Sequence, residues 1–328
     1  MDSRILSAAK KEYLGKPGII GVGRGKKGIV LLTEYLLPYE VATFQGVPVE
    51  VYVTGFIEAL QLRTDKWRPA PGGVSVGHYA ITAGTIGCVV HDKETGKRMI
   101  LSNNHILADC NDAEIGDPIE QPGPFDQGGG DDGDDSNCPF SLLYAGFFNL
   151  FAWLMRNKTR MRAKVPRQEN EFLIATLTRY IPLKWYGGNG GGESRQEENN
   201  VVDCAVATPV NNDDIEDEIL EIGLPMGWVP EDQLQFGQTL QKSGRTTGLT
   251  YATIISVDTT VDVGYGSGRV ARFDHQIVTG WMCDPGDSGS LVLNMDKYAV
   301  GLLYAGSSNS CIICPIRVVL DSLNITIP

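Results

Sequence analysis

The chain of 328 residues has only four histidines, and its seven cysteines are irregularly spaced. An odd, sparse cysteine set excludes the dense disulfide framework of a small secreted scaffold and fits a reducing compartment. Positive charge is short as well: 28 Lys and Arg stand against 40 Asp and Glu, a formal net charge of −12. That balance excludes a dominant nucleic-acid-binding role. The N-terminal Met-Asp-Ser-Arg-Ile-Leu lacks the apolar core and cleavage site of a signal peptide, so a cytoplasmic location is expected. No repeat of roughly 20 to 50 residues recurs, which sets solenoids and propellers aside. Cys311-Ile-Ile-Cys314 has zinc-like spacing, yet no second pair or nearby histidine completes a site. These read as core cysteines, and neither metal nor cofactor is expected.

What is there is ordinary globular material: 42% apolar and 21% charged residues, with 39 glycines that favour turns and a β-rich fold. At about 150 residues per domain, the length fits two domains or one large domain with an attachment. Residues 3–14 form one short amphipathic helix in this reading, followed by strand-like runs at Gly18–Val22, Gly28–Tyr35 and Val47–Val53. Residues 1–67 are thus expected to be a small α/β module. From Arg68 onward the texture changes to short strands with turn signals between them. The runs are Gly84–His91, Arg98–Ser102, Glu171–Trp185, Val201–Ala207 and Gln238–Ser243, then Thr250–Val263, Val270–Val278, Ser290–Leu293 and Ala299–Tyr304. Little helix is expected before Ile316–Leu323, which points to a barrel or sandwich over 68–328.

An insertion at about 126–200 interrupts this pattern. Gln127–Asn137 and Gly187–Asn200 are low-complexity and read as solvated loops. Asp131, Asp132, Asp134 and Asp135 lack the spaced ligands and terminal Glu of a calcium loop. Between the loops, the apolar run Pro139–Met155 is followed by Arg156, Lys158, Arg160, Arg162, Lys164 and Arg167. The run is short for a membrane span. Its expected roles are cover for the protein's own surface, a homo-oligomer contact, or a peripheral membrane contact through 139–167.

The chemistry concentrates in Asp284-Pro285-Gly286-Asp287-Ser288-Gly289-Ser290. A serine hydroxyl is a poor nucleophile until a base takes its proton and donors stabilise the oxyanion. Flanking glycines allow the sharp turn that exposes Ser288 and leaves backbone N–H groups free. Of the four histidines, His78 and His91 lie in turn-like polar surroundings and His275 lies within a strand. His105, in Leu101-Ser102-Asn103-Asn104-His105-Ile106-Leu107-Ala108, follows a strand and opens a short helical segment. It is the candidate base. Asp203 sits in the apolar Val201-Val202-Asp203-Cys204-Ala205-Val206-Ala207, where a buried carboxylate needs a partner such as His105. Asp109, Asp112 and Asp117 lie in a polar loop and need no such partner. The order His–Asp–Ser is that of the chymotrypsin-type arrangement.

On these segments residues 69–328 resemble a chymotrypsin/trypsin-like serine protease. More narrowly, they are similar to a bacterial group of trypsin-like peptidases related to the plant narrow-leaf proteins. Pro71–His78, Leu101–Ala108, Ile115–Pro124, Lys242–Thr250, Gly286–Ser290 and Val300–Ser307 carry the resemblance, and the N-terminal module resembles the one that precedes the protease in that group. The resemblance implies two six-stranded β-barrels with the site in the cleft between them and Ile316–Leu323 as a closing helix. His105 and Asp203 would come from the first barrel and Ser288 from the second. The N–H groups of Gly286 and Ser288 would form the oxyanion hole. Tyr304, Ala305 and Gly306 would pair with the substrate backbone, and Met282 would lie at the base of the specificity pocket. Pro285 stands where relatives usually carry Gly, and no Ile-Val-Gly-Gly start follows a basic residue. A new N-terminus is therefore not expected to order the Asp287 loop. The expected function is peptide-bond hydrolysis through an acyl-enzyme on Ser288, with a protein or peptide substrate. The alternative is an inactive or self-processing scaffold that binds peptides or assembles with partners.

Overall fold

In the computed structural model, Asp2 opens the first helix, accepting the Arg4 backbone N–H at 2.9 Å and so satisfying one of the free N-terminal donors. The structure describes residues 2–55, 57, 61–81, 83–127, 171–185, 198–266 and 268–328. By contacts the chain divides into two units, Met1–Gln61 and Leu62–Pro328.

In the first unit, helix α1 (Ser3–Tyr13) buries Ala9 and Tyr13, four residues apart and hence on one face. Its partners come from a sheet of β1 (Ile19–Arg24), β2 (Ile29–Thr33), β3 (Thr43–Phe44) and β4 (Val47–Val53), in the order β1-β2-β4-β3. Alternate residues Ile29, Leu31 and Thr33 of β2 point inward. Ile29 and Leu31, with Ile19 and Leu37, close a small core against the helix.

The second unit is all-β but for short helical turns. An open sheet of eight strands runs in the order β20-β8-β9-β12-β11-β10-β6-β7. These are β6 (Ser75–His78), β7 (Gly84–Thr85), β8 (Cys88–Asp92), β9 (Arg98–Ser102), β10 (Pro118–Glu120), β11 (Leu173–Tyr180), β12 (Ala205–Pro209) and β20 (Ile325–Thr326). A parallel pair, β5 (Ala70–Gly72) with β13 (Ile215–Ile219), accompanies it. Six strands close the second barrel: β14 (Thr239–Gly244), β15 (Gly248–Gly264), β16 (Val270–Gly280), β17 (Leu291–Asn294), β18 (Ala299–Gly306) and β19 (Ser310–Pro315). Helix α2 (Asn104–Leu107) follows β9, and α3 (Ile316–Ser322) follows β19.

The fold is the chymotrypsin-like double barrel with a C-terminal helix, with one correction. The first barrel is a half-barrel of eight strands rather than a closed ring of six, because the edge strands β7 and β20 do not pair with each other. One apolar cluster fills the sheet, with Val76, Ile100, Ile119, Ile174 and Leu177. A second fills the closed barrel, with Leu240, Ile254, Ile277, Val300 and Ile313. A third, with Leu101, Val206, Phe273, Leu302 and Val319, joins the two bodies and fixes the cleft between them. The apolar-basic stretch 139–167 and the acidic run after Gln127 lie outside the described residues, as does most of Gly187–Asn200. No described helix is long and apolar enough to cross a membrane.

Candidate active site

His105 sits on α2, one short turn after the end of β9. Beyond it the chain turns sharply through Asp109, Cys110 and Asn111, all with left-handed φ of 46°, 54° and 76°. Such backbone is unfavourable for residues with a Cβ and persists only where the surroundings over-determine it. Here Asn111 does so: its amide donates to Leu183 O at 2.8 Å, and its carbonyl accepts from Leu183 N at 2.8 Å and Asn104 Nδ2 at 2.8 Å. The residues around His105 are thereby stitched to the chain after β11.

Asp203 lies just before β12 rather than inside it, with no exposed surface. Its Oδ2 accepts from His105 Nδ1 at 2.6 Å and from Tyr265 Oη at 2.7 Å, and its Oδ1 accepts the His105 backbone N–H at 3.3 Å. The side chains that answer this buried carboxylate are thus His105 and Tyr265. Of the other acids, Asp117 contacts His78 at 3.1 Å and Asp112 pairs with Arg269 at 3.4 Å. His275 pairs with Asp258 on the surface, and His91 stands in β8.

Ser288 enters from the second barrel, in the turn between β16 and β17. The Thr85 N–H donates to Ser288 O at 2.8 Å, and Ser102 Oγ donates to Thr85 O at 2.8 Å, three residues before His105. The serine backbone is therefore pinned against the strand end that leads into α2. Its hydroxyl donates to Tyr304 O at 3.3 Å, and among the described residues His105 Nε2 makes no hydrogen bond. Neither the Gly286 nor the Ser288 N–H donates to any described residue. Pro285 O accepts from Thr246 Oγ1 at 2.8 Å, which turns the N–H of that trans peptide to the opposite side. Gly286 O accepts from Thr85 Oγ1 at 2.8 Å. Gly286 has φ +103°, and a Cβ there would fall on Thr246 Oγ1 and the Arg245 guanidinium, so only glycine fits.

Beneath this turn Asp287 is buried. Its carboxylate accepts from Thr246 N at 2.8 Å, Thr247 N at 3.1 Å, Thr247 Oγ1 at 2.6 Å and Asp284 N at 2.9 Å. Lys242 Nζ lies 3.4 Å from it, and both side chains are fully buried. Burial pulls the Lys242 ammonium below its ordinary value, and the Asp287 carboxylate opposes that pull. Lys242, on β14, is the buried cation set against this loop. Strand alternation did not mark it, because almost every residue of β14 is buried.

The expected pocket residues lie on two segments of the second barrel. Met282 is fully buried inside the second barrel, its N–H donating to Cys311 Sγ at 3.3 Å and its carbonyl accepting from Thr250 Oγ1 at 2.6 Å. Tyr304, Ala305 and Gly306 end β18, buried, half-buried and exposed in turn. A Cβ on Gly306 would come within 2.6 Å of Cys283 Sγ. Cys283 and Cys311 form a disulfide, whereas Cys314 is free, and both Cys311 and Cys314 are buried in the core. The bond closes β19 against the turn before Ser288, and β19 did not stand out in the sequence. Among the described residues no cluster suited to a metal ion is found.

No family model matches the chain, and no curated protein matches it. Solved structures do. A Nocardiopsis protease, NAPase, is similar at 14% identity over 78% of this chain and 97% of that one, with a TM-score of 0.47. Thermobifida fusca protease A is similar at 14% identity over 78% and 96%, TM-score 0.44. Cellulomonas bogoriensis chymotrypsin is similar at 14% identity over 79% and 97%, TM-score 0.40.

Proposed function

We propose that this chain is a serine endopeptidase that works through an acyl-enzyme on Ser288. The observation that carries the reading is the 2.6 Å bond between His105 Nδ1 and a fully buried Asp203, with His105 Nε2 left without a partner among the described residues. Bonded in this way, Nδ1 carries the proton and Nε2 is the basic nitrogen. In this reading the Ser288 hydroxyl leaves Tyr304 O for the cleft, and Nε2 accepts its proton as Oγ attacks the peptide carbonyl. The oxyanion forms against the N–H groups of Gly286 and Ser288, which have no other described acceptor. The imidazolium, stabilised by Asp203, then protonates the leaving amine. Water repeats the cycle on the acyl-enzyme.

In this reading the substrate is a protein or peptide whose backbone pairs with Tyr304–Gly306. Met282 forms the pocket base beside the Cys283–Cys311 bond, so a medium-sized apolar residue is preferred at the cleaved position, because a buried cation would lack a partner. A preference for Lys or Arg in a peptide library would overturn that assignment. The narrower likeness to bacterial relatives of the plant narrow-leaf proteins belongs to this proposal, as do residues 1–67 as an attached module and a contact through 139–167. The cytoplasmic location rests on composition, and the Cys283–Cys311 bond weighs against it.

One observation favours the scaffold alternative: the Ser288 hydroxyl rests on Tyr304 O and not on His105. A fluorophosphonate probe separates the two. Covalent labelling of the wild type and none of Ser288→Ala is the expected result, with His105→Ala slowed to a similar degree because such residues act as a unit. Equal behaviour of wild type and Ser288→Ala would leave the scaffold.

A further inference from the structure

The third hydrogen bond to Asp203 comes from a residue that neither the resemblance nor the sequence motifs singled out. Tyr265 lies in the turn that joins β15 to β16, in the second barrel, whereas His105 and Asp203 belong to the first. Its hydroxyl nevertheless reaches Asp203 Oδ2 at 2.7 Å, the same oxygen that holds His105 Nδ1. Oδ1 has the His105 backbone N–H, so each carboxylate oxygen is engaged.

The turn is built to hold that reach. Tyr265 N donates to Arg269 O at 2.9 Å and Arg269 N to Gly266 O at 2.9 Å, which closes the tip. The Tyr265 ring meets Trp185 at 5.1 Å and His105 at 5.7 Å, both edge-on, and Phe273 at 6.3 Å. Arg269 lies over Trp185 at 5.4 Å and reaches Cys110 O at 3.5 Å, in the strained loop that follows His105. The hairpin tip is thus braced on the half-barrel by contacts on both sides of the phenol. Tyr304, by contrast, buries its hydroxyl with no partner among the described residues. Of the two tyrosines near this acid, one is recruited.

We propose that Tyr265 is a positioning residue: its phenol fixes the Asp203 carboxylate and, through it, the tautomer and tilt of His105. The inference rests on the Ser288 reading for its catalytic consequence, though the hold itself does not. His105 holds one oxygen through Nδ1 and the other through a long backbone contact of 3.3 Å; the phenol adds a third point of attachment, from the other barrel. The donor also draws charge from Oδ2, which tempers the pull on the imidazolium. Burial, together with the Asp203 charge, keeps the phenol protonated well above its ordinary range, so it donates at every working pH. The other groups that face Asp203 are Tyr304, Cys314, Cys204 and Cys110. Burial raises all four, Cys110 to about 12, so none titrates near neutrality.

The test is Tyr265→Phe, which keeps the ring and removes one oxygen. Ser288 labelling by the fluorophosphonate probe is expected to slow by about 10- to 100-fold, the range for loss of a bond to a charged group. The acid limb of the rate–pH profile is expected to move up by roughly half a unit to one unit, since Asp203 then stabilises the imidazolium more strongly. A packing role alone would not move that limb. A readout free of catalysis is the proton resonance of His105 Nδ1–H, recorded in Ser288→Ala with and without Tyr265→Phe. Loss or displacement of the resonance supports the hold. Should Tyr265→Phe fail to fold, a cross-peak between the Tyr265 hydroxyl proton and the Nδ1 proton in the wild type supports the same hold, and its absence overturns it. A labelled wild type whose rate, acid limb and resonance all ignore Tyr265→Phe overturns this proposal and leaves the hydrolase reading intact. An unlabelled wild type with a Tyr265-sensitive resonance overturns the hydrolase reading and leaves the hold supported.

Discussion

Two carboxylates are buried on opposite sides of the cleft, and they are satisfied in different ways. Asp287 sits in the closed barrel beside Lys242, a fully buried cation, and collects backbone N–H groups from Thr246, Thr247 and Asp284. Asp203 sits beside the half-barrel with no described lysine or arginine against it; its donors are an imidazole, a phenol and one N–H. The first arrangement sets a buried cation and four hydrogen bonds against one carboxylate beneath the loop. In the proposed reaction the second leaves its charge to be answered by the His105 imidazole. One residue type therefore serves as a rivet in one barrel and as a reserve of charge in the other.

Replacing each acid by its amide breaks the comparison most sharply. Asp203→Asn is expected to slow labelling of Ser288 on the order of 10⁴-fold, because an amide favours the wrong imidazole tautomer, while melting stays within a few degrees of wild type. Asp287→Asn is expected to do the reverse in kind, lowering the melting temperature because Lys242 is left buried without its counter-ion. Labelling rates and thermal melts on both variants decide it. If Asp203→Asn labels within tenfold of wild type, the two carboxylates are not functionally distinct.

Lys242→Met probes the rivet from its other end. A buried carboxylate without its cation costs about 3–5 kcal/mol, or roughly 10 °C in a unit of this size. Adding Asp287→Asn should then recover part of that loss, since an apolar side chain against an amide leaves no unpaired charge. A double variant no more stable than Lys242→Met alone would mean that the pair is not what holds the loop.

The residues of the proposed site stand out in the sequence itself. Ser288 sits in a glycine-flanked motif, His105 opens a helix after a strand, and Asp203 is an acid in an apolar run, so each is anomalous in its own few residues. Lys242 and Tyr265 were not legible, and for different reasons. Lys242 occupies a strand buried on both sides, where alternation carries no signal; a lysine amid buried neighbours was the only available clue. Tyr265 lies in Val-Gly-Tyr-Gly-Ser-Gly, which reads as a glycine-rich turn, and its partner is 62 residues away. Such a contact depends on where a hairpin tip lands, which local pattern cannot encode. The same holds for Cys283 and Cys311, paired across a strand that the sequence did not announce.

The smallest expected effect concerns the turn between the two acids' territories. Thr85, on the half-barrel side, is fully buried, and its hydroxyl donates to Gly286 O at 2.8 Å while accepting Arg245 N at 3.0 Å. Thr246, on the closed-barrel side, is exposed and donates to Pro285 O at 2.8 Å. Each hydroxyl fixes one of two consecutive peptides beside the free N–H groups. Thr85→Val keeps the shape and removes a fully buried hydroxyl, leaving Gly286 O and Arg245 N without their partner. Labelling should slow by about tenfold, with a stability loss of about 1–3 kcal/mol, and Thr85→Ser should restore both. Thr246→Val removes a bond that water can remake, so labelling should fall by about threefold at most. Rates on the three variants, measured beside their melting temperatures, rank the two anchors. Should Thr246→Val prove the more damaging, the turn is held from the closed barrel alone, and the half-barrel contributes only His105 and Asp203 to the chemistry.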